Sequence, residues 1–138
     1  MKIHVDVVSV EGEIFSGSAS IVFAPAEMGE IGIMPRHAPL LTRLKPGNLR
    51  IRDENDNEEH VFVSGGLLEV QPHLITVMAD TAERAEDIDE AEAAKAKERA
   101  EQAVSEAEDK IDLERAQLEL TEAAARLDMV RRLRSPSR

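Results

Sequence analysis

The chain has 138 residues and a formal net charge of −11, with no cysteine and an aromatic content of 2%. These values argue against a disulfide framework, a cysteine-based metal site and a nucleic-acid-binding surface, which needs cations and stacking rings. The N-terminus lacks the pattern of a signal peptide, and no apolar run approaches the roughly 20 residues that cross a bilayer. We therefore expect a cytoplasmic protein without direct membrane insertion.

The composition changes near residue 87. All seven glycines and all three phenylalanines precede it, whereas alanine, glutamate, arginine and leucine dominate after it. This contrast predicts an α+β protein, with an N-terminal antiparallel β-sandwich over residues 1–87 and a C-terminal antiparallel α-helical hairpin over residues 88–138.

Short strands and turns alternate in the first half at intervals of about 8–12 residues, the spacing of a sandwich or barrel. Apolar and polar residues alternate around Ile3, Val5, Val7, Leu49 and Ile51. The serine- and glycine-containing residues 16–18 are predicted to form a turn. Pro25 is predicted to end the preceding strand, because proline cannot donate to a sheet ladder.

Residues 29–42, GEIGIMPRHAPLLT, form an apolar segment that two prolines interrupt. Proline excludes the interior of a helix or of a central strand, so much of the segment is predicted to run over the surface. It could be an active-site loop around His37, a set of ordinary turns, or a docking surface. His37 has no orienting partner nearby in the sequence, which favours a structural or interface histidine over a catalytic base.

The second half predicts two helices. Asp87 and Glu90 resemble a capping box at the start of the first helix, and Asp112 is predicted to cap the second. The first helix has a narrow stripe of small residues: Ile88, Ala91, Ala94, Ala100, Ala103, Val104 and Ala107. An alanine methyl contributes only about 1 kcal/mol when buried. The hairpin is therefore predicted to be marginally stable, and to need a partner or to open.

Charge is divided unevenly within this half. Residues 88–122 carry 5 basic and 12 acidic side chains, a net −7, whereas residues 123–138 carry 5 basic and 1 acidic, a net +4. The basic residues of the last segment are all arginine: Arg126, Arg131, Arg132, Arg134 and Arg138. They could simply complement the helix dipole, or they could recognise carboxylates through bidentate pairs. Residues 135–138 are predicted to be frayed.

Catalytic patterns are hard to find. The four histidines, His4, His37, His60 and His73, show no metal-ligand spacing, and the sequence has neither a P-loop nor a nucleophile elbow. The residues therefore favour a subunit with no catalytic residues and no metal.

Several segments together resemble the epsilon subunit of bacterial rotary ATP synthase. They are residues 29–42, VSGGLLEV at 63–70, ADTAERA at 79–85 with DID at 87–89, and the N-terminal residues 4–9 and 15–17. The resemblance implies a β-sandwich that docks on the gamma subunit and the c-ring in the central stalk of a proton-translocating enzyme, at the cytoplasmic side of the bacterial inner membrane. It also implies a helical hairpin that can extend towards the alpha and beta subunits and block ATP hydrolysis.

The resemblance also implies which residues make these contacts. Contact with the c-ring falls on Glu30, Ile31, Gly32, Ile33 and Met34. Contact with the gamma subunit falls on Arg36, His37 and Ala38, and inhibitory contact with the beta subunits on Arg126, Arg131, Arg132 and Arg134. We expect Ile31, Ile33 and Met34 to be exposed around Glu30 as a docking patch, and Leu40 and Leu41 to turn inward.

The chain departs from the family at two positions. Arg36 replaces the usual glycine after the signature proline, and we expect it to prefer a type I turn over the positive φ of a type II turn. A degenerate ATP motif matches at Ile88, Asp89 and Ala93, but Glu92 replaces its arginine. A carboxylate repels phosphate, so we expect no cofactor and no tight ATP binding.

Two other functions are compatible with the residues. A free-standing assembly or chaperone-like adaptor could use the hairpin as tongs. A sandwich hydrolase built on His37 would show activity in the isolated protein.

Overall fold

The computed structural model describes residues 1–135. It divides into two compact units, Met1–Glu86 and a second unit that begins at Asp87. The first unit consists of strands and the second of two helices, so the predicted α+β class is confirmed.

Ten strands lie within the described part of the first unit. They are β1 (Ile3–Ser9), β2 (Gly12–Ala19), β3 (Ile21–Ala26), β4 (Gly29–Ile33), β5 (Leu40–Leu44), β6 (Gly47–Arg52), β7 (Glu58–Val63), β8 (Gly66–Gln71), β9 (Leu74–Ala79) and β10 (Ala82–Arg84).

The strands form one continuous sheet that folds over a common core. Its order is β10-β7-β6-β3-β5-β8-β9-β1-β2, with β4 paired to β3. Neighbouring strands in residues 1–135 run antiparallel, except that β1 and β9 are parallel. A guanidinium nitrogen of Arg84 on β10 donates to the carbonyl of Ile14 on β2 at 3.0 Å, so the two ends of the sheet meet.

The core is built from alternate strand positions. Its side chains are aliphatic and almost wholly withdrawn from water, among them Ile3, Val5, Val7, Val22, Ile33, Leu49, Ile51, Leu68, Val70, Ile75 and Val77. The alternation predicted around β1 and β6 is confirmed, because side chains at every second position of a strand face the same way.

The prediction of a turn at residues 16–18 is wrong. These residues lie inside β2, where Ser16 pairs with Asp6 and Ser18 with His4 of β1. Gly17 is covered by the ring of Phe15, which would lie 3.1 Å from a Cβ at that position. Pairing with β1 therefore overrides the local turn propensity of serine and glycine.

The predicted strand end at Pro25 is also wrong, because β3 continues to Ala26. β3 pairs with β6 as far as Phe23 and with β5 at Ala26, so Pro25 lies where one neighbour replaces the other. Proline has no N–H to donate, and at Pro25 this lack coincides with the change of neighbouring strand. The Pro25 carbonyl accepts a hydrogen bond from the Lys45 N–H at 2.9 Å.

Two helices follow a single 3-10 turn at Ala85–Asp87. They are α1 (Glu90–Glu106) and α2 (Lys110–Arg134). The predicted N-caps are displaced. Asp89 caps α1 by accepting from the Glu92 N–H at 3.0 Å, and Asp109 caps α2 by accepting from the Asp112 N–H at 2.8 Å. Asp87 cannot act as the cap because it belongs to the preceding turn.

The predicted stripe of small residues is confirmed in part. Ile88 and Ala100 are buried as expected, whereas Ala91 is exposed and Ala93, which the stripe did not include, is buried. The helix end is described as far as Ser135, whose hydroxyl donates to the Arg131 carbonyl at 2.7 Å. The predicted fraying of residues 136–138, and Arg138 with it, lies outside the described residues.

Candidate functional site

The docking segment, residues 29–42, consists of β4, a turn and the start of β5. Glu30 is exposed on the outer side of β4, and its carboxylate lies 3.5 Å from the Arg50 guanidinium. Arg50 in turn stacks 4.1 Å above the ring of Phe23 on β3. The Glu30 carboxylate is therefore positioned by Arg50, which Phe23 in turn supports. Because the Glu30–Arg50 ion pair is exposed, it contributes little to stability.

The turn after β4 keeps the backbone of a type II turn. The His37 N–H donates to the Met34 carbonyl at 3.2 Å, and Arg36, the third residue of this turn, has a φ of 68°. The Arg36 N–H donates to the Pro72 carbonyl at 2.9 Å, which ties the turn to the β8–β9 connection. The expectation that arginine would replace this turn by type I is therefore wrong, because the surrounding hydrogen bonds impose a positive φ.

His37 is held at the tip of this turn by a local backbone contact. Its Nδ1 donates to the carbonyl of the adjacent Ala38 at 2.7 Å. This hydrogen bond fixes the tautomer and the orientation of the ring.

The exposure expected of the docking segment is partly wrong. Ile33 is fully buried, and Ile31 packs against the core, so neither forms an exposed patch. Leu41 points outward and is 66% exposed, whereas only Leu40 faces the core. In β5 the inward positions are Leu40, Thr42 and Leu44, which pair with Val70, Leu68 and Gly66 of β8.

The set of apolar side chains that face outward is different from the one expected. Met34 is 60% exposed, and Leu41 lies on the outer face of β5. Leu67 on β8 and Met78 on β9 pair with each other on the same face of the sheet, and both are exposed. Sequence reasoning missed Leu67 and Met78, although two adjacent leucines in one strand already imply that one of them faces outward.

The arginines of α2 lie beside the start of α1. Arg126 donates to the Glu92 carboxylate at 2.8 Å, and Arg131 lies 3.6 Å from the carboxylate of Glu90. A guanidinium nitrogen of Arg134 donates to the Ile88 carbonyl at 2.6 Å. Arg132 instead pairs within α2 with Asp128 at 3.1 Å. The end of α2 therefore lies against the beginning of α1, as in an antiparallel hairpin.

The residues of the degenerate ATP motif are engaged in contacts of the helical unit itself. The Asp89 carboxylate caps α1, and Ala93 is buried. Glu92 places a negative charge 2.8 Å from the Arg126 guanidinium. A carboxylate in this position repels a phosphate group.

Two further charged clusters lie on the sheet. Two hydrogen bonds from Arg52 hold the pKa of Glu58 below its ordinary value of 4.5, although partial burial opposes this shift. On β1 and β2 the Ser16 hydroxyl donates to Asp6 at 2.8 Å and lowers the pKa of that carboxyl, with a smaller contribution from His4.

Ser16, His4 and Asp6 resemble a catalytic triad only in composition. The Ser16 proton goes to the carboxylate, so His4 does not accept it and the hydroxyl is not activated as a nucleophile. Within residues 1–135, no three metal-ligating side chains come together. Neither described helix combines the length and apolar character needed to cross a membrane.

Comparison with known proteins covers almost the whole chain. Residues 2–85 match the family model of the beta-sandwich domain of the ATP synthase delta/epsilon chain, and residues 86–131 match that of its long alpha-helix domain. The "ATP synthase epsilon chain" of Nitrosococcus oceani is 60% identical over 97% of this chain and 96% of its own length. That of Thioalkalivibrio sulfidiphilus is 55% identical over 100% and 99%, respectively.

Solved structures share the fold. A chain of the Euglena gracilis mitochondrial ATP synthase superposes with a TM-score of 0.79 at 21% identity, over 90% of this chain and 78% of its own. A chain of the Tetrahymena thermophila mitochondrial ATP synthase, from its central stalk and c-ring, gives 0.66 at 15% identity, over 94% and 97%. With the two domains in the same order and relatives more than half identical along the whole chain, the protein belongs to the ATP synthase epsilon chain family.

Proposed function

We propose that this chain is a non-catalytic subunit of the central stalk of a bacterial proton-translocating ATP synthase, peripheral to the cytoplasmic side of the inner membrane. Its relatives are ATP synthase epsilon chains, and similar folds occur in structures described as F1/c-ring and central stalk/c-ring assemblies. The observation that carries the proposal is that the chain combines two units. One is a β-sandwich with exposed apolar side chains, and the other is a helical unit with an arginine-rich end.

The sandwich unit is the docking part of the molecule. Glu30, Gly32 and Met34 alternate on the outer side of β4 and its continuation, and all three are exposed. We assign them to the c-ring, and Arg36, His37 and Ala38 at the adjacent turn to the gamma subunit. Ile31 and Ile33 are not part of this exposed set, although the sequence predicted them to be. They anchor β4 in the core and so position the contact residues. An exposed apolar side chain such as Met34 is stabilised by burial in a partner.

The helical unit is the regulatory part. Arg126, Arg131, Arg132 and Arg134 lie within the last three turns of α2, and guanidinium groups pair bidentately with carboxylates. In the extended state these arginines leave the hairpin and bind acidic segments of the alpha and beta subunits, which blocks ATP hydrolysis. No nucleotide is needed as a cofactor, because Glu92 occupies the motif position of the phosphate-binding arginine.

One experiment on reconstituted ATP synthase tests both parts. Deletion of residues 88–138 is expected to leave assembly intact and to raise ATPase activity, because the inhibitory arginines are removed. Met34→Glu in the full-length chain is expected to weaken recovery of the chain with the gamma subunit and c-ring, while Ile111→Glu, an equally exposed apolar position on α2, leaves recovery unchanged.

Unchanged hydrolysis after the deletion would contradict the inhibitory role, but not the structural role. Normal recovery of Met34→Glu would contradict the docking assignment. Recovery of neither gamma nor c-ring with the unaltered chain would favour the adaptor function instead.

A further inference from the structure

The two helices are joined by charged contacts at the end that lies farthest from their connection. We call this set the clasp: Glu90 and Glu92 with the Ile88 carbonyl on one side, and Arg126, Arg131 and Arg134 on the other. The connection between α1 and α2 lies at residues 107–109, so the clasp holds the two ends that would separate first if the hairpin opened.

Glu92 lies between two guanidinium groups. One carboxylate oxygen is 2.8 Å from Arg126, and the other is 3.9 Å from Arg99, which lies about two turns further along α1. The Arg126 side chain is only 17% exposed, so its charge is largely withdrawn from water. A charge in that position is stabilised by nearby anions, and Glu92 supplies one of them.

The face that α1 buries is made of small side chains. The buried residues of α1 are Ala93 and Ala100, whereas α2 buries Ala116 together with the larger Leu127, Met129 and Val130. Alanine methyl groups bury little apolar area, so α1 itself contributes little apolar packing, and the polar contacts of the clasp add to what favours the closed state.

We propose that the clasp holds the hairpin closed without nucleotide, with Glu92 as the internal counter-anion of Arg126 and Arg99. A phosphate group that approached Arg126 would have to displace this carboxylate. Opening therefore responds to ionic strength and to competing carboxylates on a protein partner, and it is insensitive to ATP. This inference rests on the proposed inhibitory role of the hairpin, and it adds that the arginines that hold the closed state are the same ones that bind the catalytic head.

Amide hydrogen exchange in the isolated full-length chain tests the clasp directly. Glu92→Gln is expected to accelerate exchange along α1 about five- to tenfold, because one partly buried ion pair is lost. The matched control is Glu98→Gln, an exposed glutamate of the same helix, which is expected to exchange like the unaltered chain. Raising NaCl from about 0.05 M to about 0.5 M is expected to accelerate exchange in the unaltered chain more than in Glu92→Gln, since salt screens the pair.

Two further measurements guard against a simple loss of folding. Glu92→Arg is expected to accelerate exchange further, and the double variant Glu92→Arg/Arg126→Glu to restore much of the protection by reversing the pair. Millimolar Mg-ATP is expected to leave exchange in the unaltered chain unchanged. Three results would each overturn the proposal. They are exchange in Glu92→Gln as slow as in the unaltered chain, no recovery of protection in the double variant, and slower exchange of the unaltered chain in the presence of Mg-ATP.

The test of the clasp and the test of the proposed inhibitory role can fail independently. Exchange reports the closed hairpin in the isolated chain, whereas inhibition is measured as ATPase activity of the assembled complex. If exchange follows the clasp but the deletion of residues 88–138 leaves hydrolysis unchanged, the inhibitory role fails and the clasp stands. If the deletion raises hydrolysis but Glu92→Gln exchanges normally, the clasp fails and the inhibitory role stands.

Discussion

Arg36 has a backbone conformation that disfavours residues with a side chain. Its φ of 68° lies in the left-handed region, where an L-residue other than glycine costs roughly 1–2 kcal/mol. The strain persists because the Arg36 N–H is bonded to Pro72 and the turn is closed from His37 to Met34. The strained turn presents the exposed Arg36 side chain at the position proposed above to contact the gamma subunit.

Replacing Arg36 by glycine is expected to stabilise the isolated chain by about 0.5–1 kcal/mol, since relief of strain outweighs the extra freedom of glycine in the unfolded chain. Urea denaturation measures this, with Arg36→Ala as the control that removes the side chain but keeps the strain. Equal stability of the two variants would contradict the account of the turn.

At the scale of secondary-structure elements, β5 determines which leucine of the docking segment faces outward. Its inward positions pair with β8, so Leu40 packs on the core and Leu41 does not. Leu40→Ala is expected to cost about 2 kcal/mol of unfolding free energy or more, and Leu41→Ala less than about 0.5 kcal/mol. Chemical denaturation of the two variants checks the difference, and a larger loss for Leu41→Ala would contradict the strand register.

Some elements could be predicted from the sequence and others could not. The alternation of Ile3, Val5 and Val7 defines β1 because one face of that strand is buried. β4 and β5 are not predicted, because the two prolines between them obscure the pattern and because β5 pairs with β8, which is distant in the sequence. β10 has only three residues, all partly exposed, so hydrophobic periodicity carries no signal for it.

The same limit applies to the candidate site. The arginine cluster could be identified from composition, but its contacts with Glu90 and Glu92 depend on how two helices pack. The positions of both N-caps were off by two or three residues because several aspartates precede each helix, and local spacing does not choose among them.

At the scale of the whole molecule, the division of charge within the helical unit links the closed hairpin with the inhibitory role proposed above. The charges are divided between an acidic segment, residues 88–122, and a basic segment, residues 123–138, and in the closed hairpin Arg126 and Arg131 pair with Glu92 and Glu90. We propose that the hairpin is a two-state element in which internal carboxylates and those of an acidic partner compete for the same arginines.

A reversible cross-link in the assembled enzyme tests this central claim most directly. The chain has no cysteine, so Glu90→Cys and Arg131→Cys, whose native side chains approach to 3.6 Å, can be joined in the isolated chain by a short, reducible bifunctional thiol reagent before the enzyme is assembled. ATPase activity of the complex is expected to be high while the cross-link holds the hairpin closed, and to fall when reduction releases the hairpin. Inhibition that persists with the cross-link intact would contradict the claim that α2 must leave α1 to block hydrolysis.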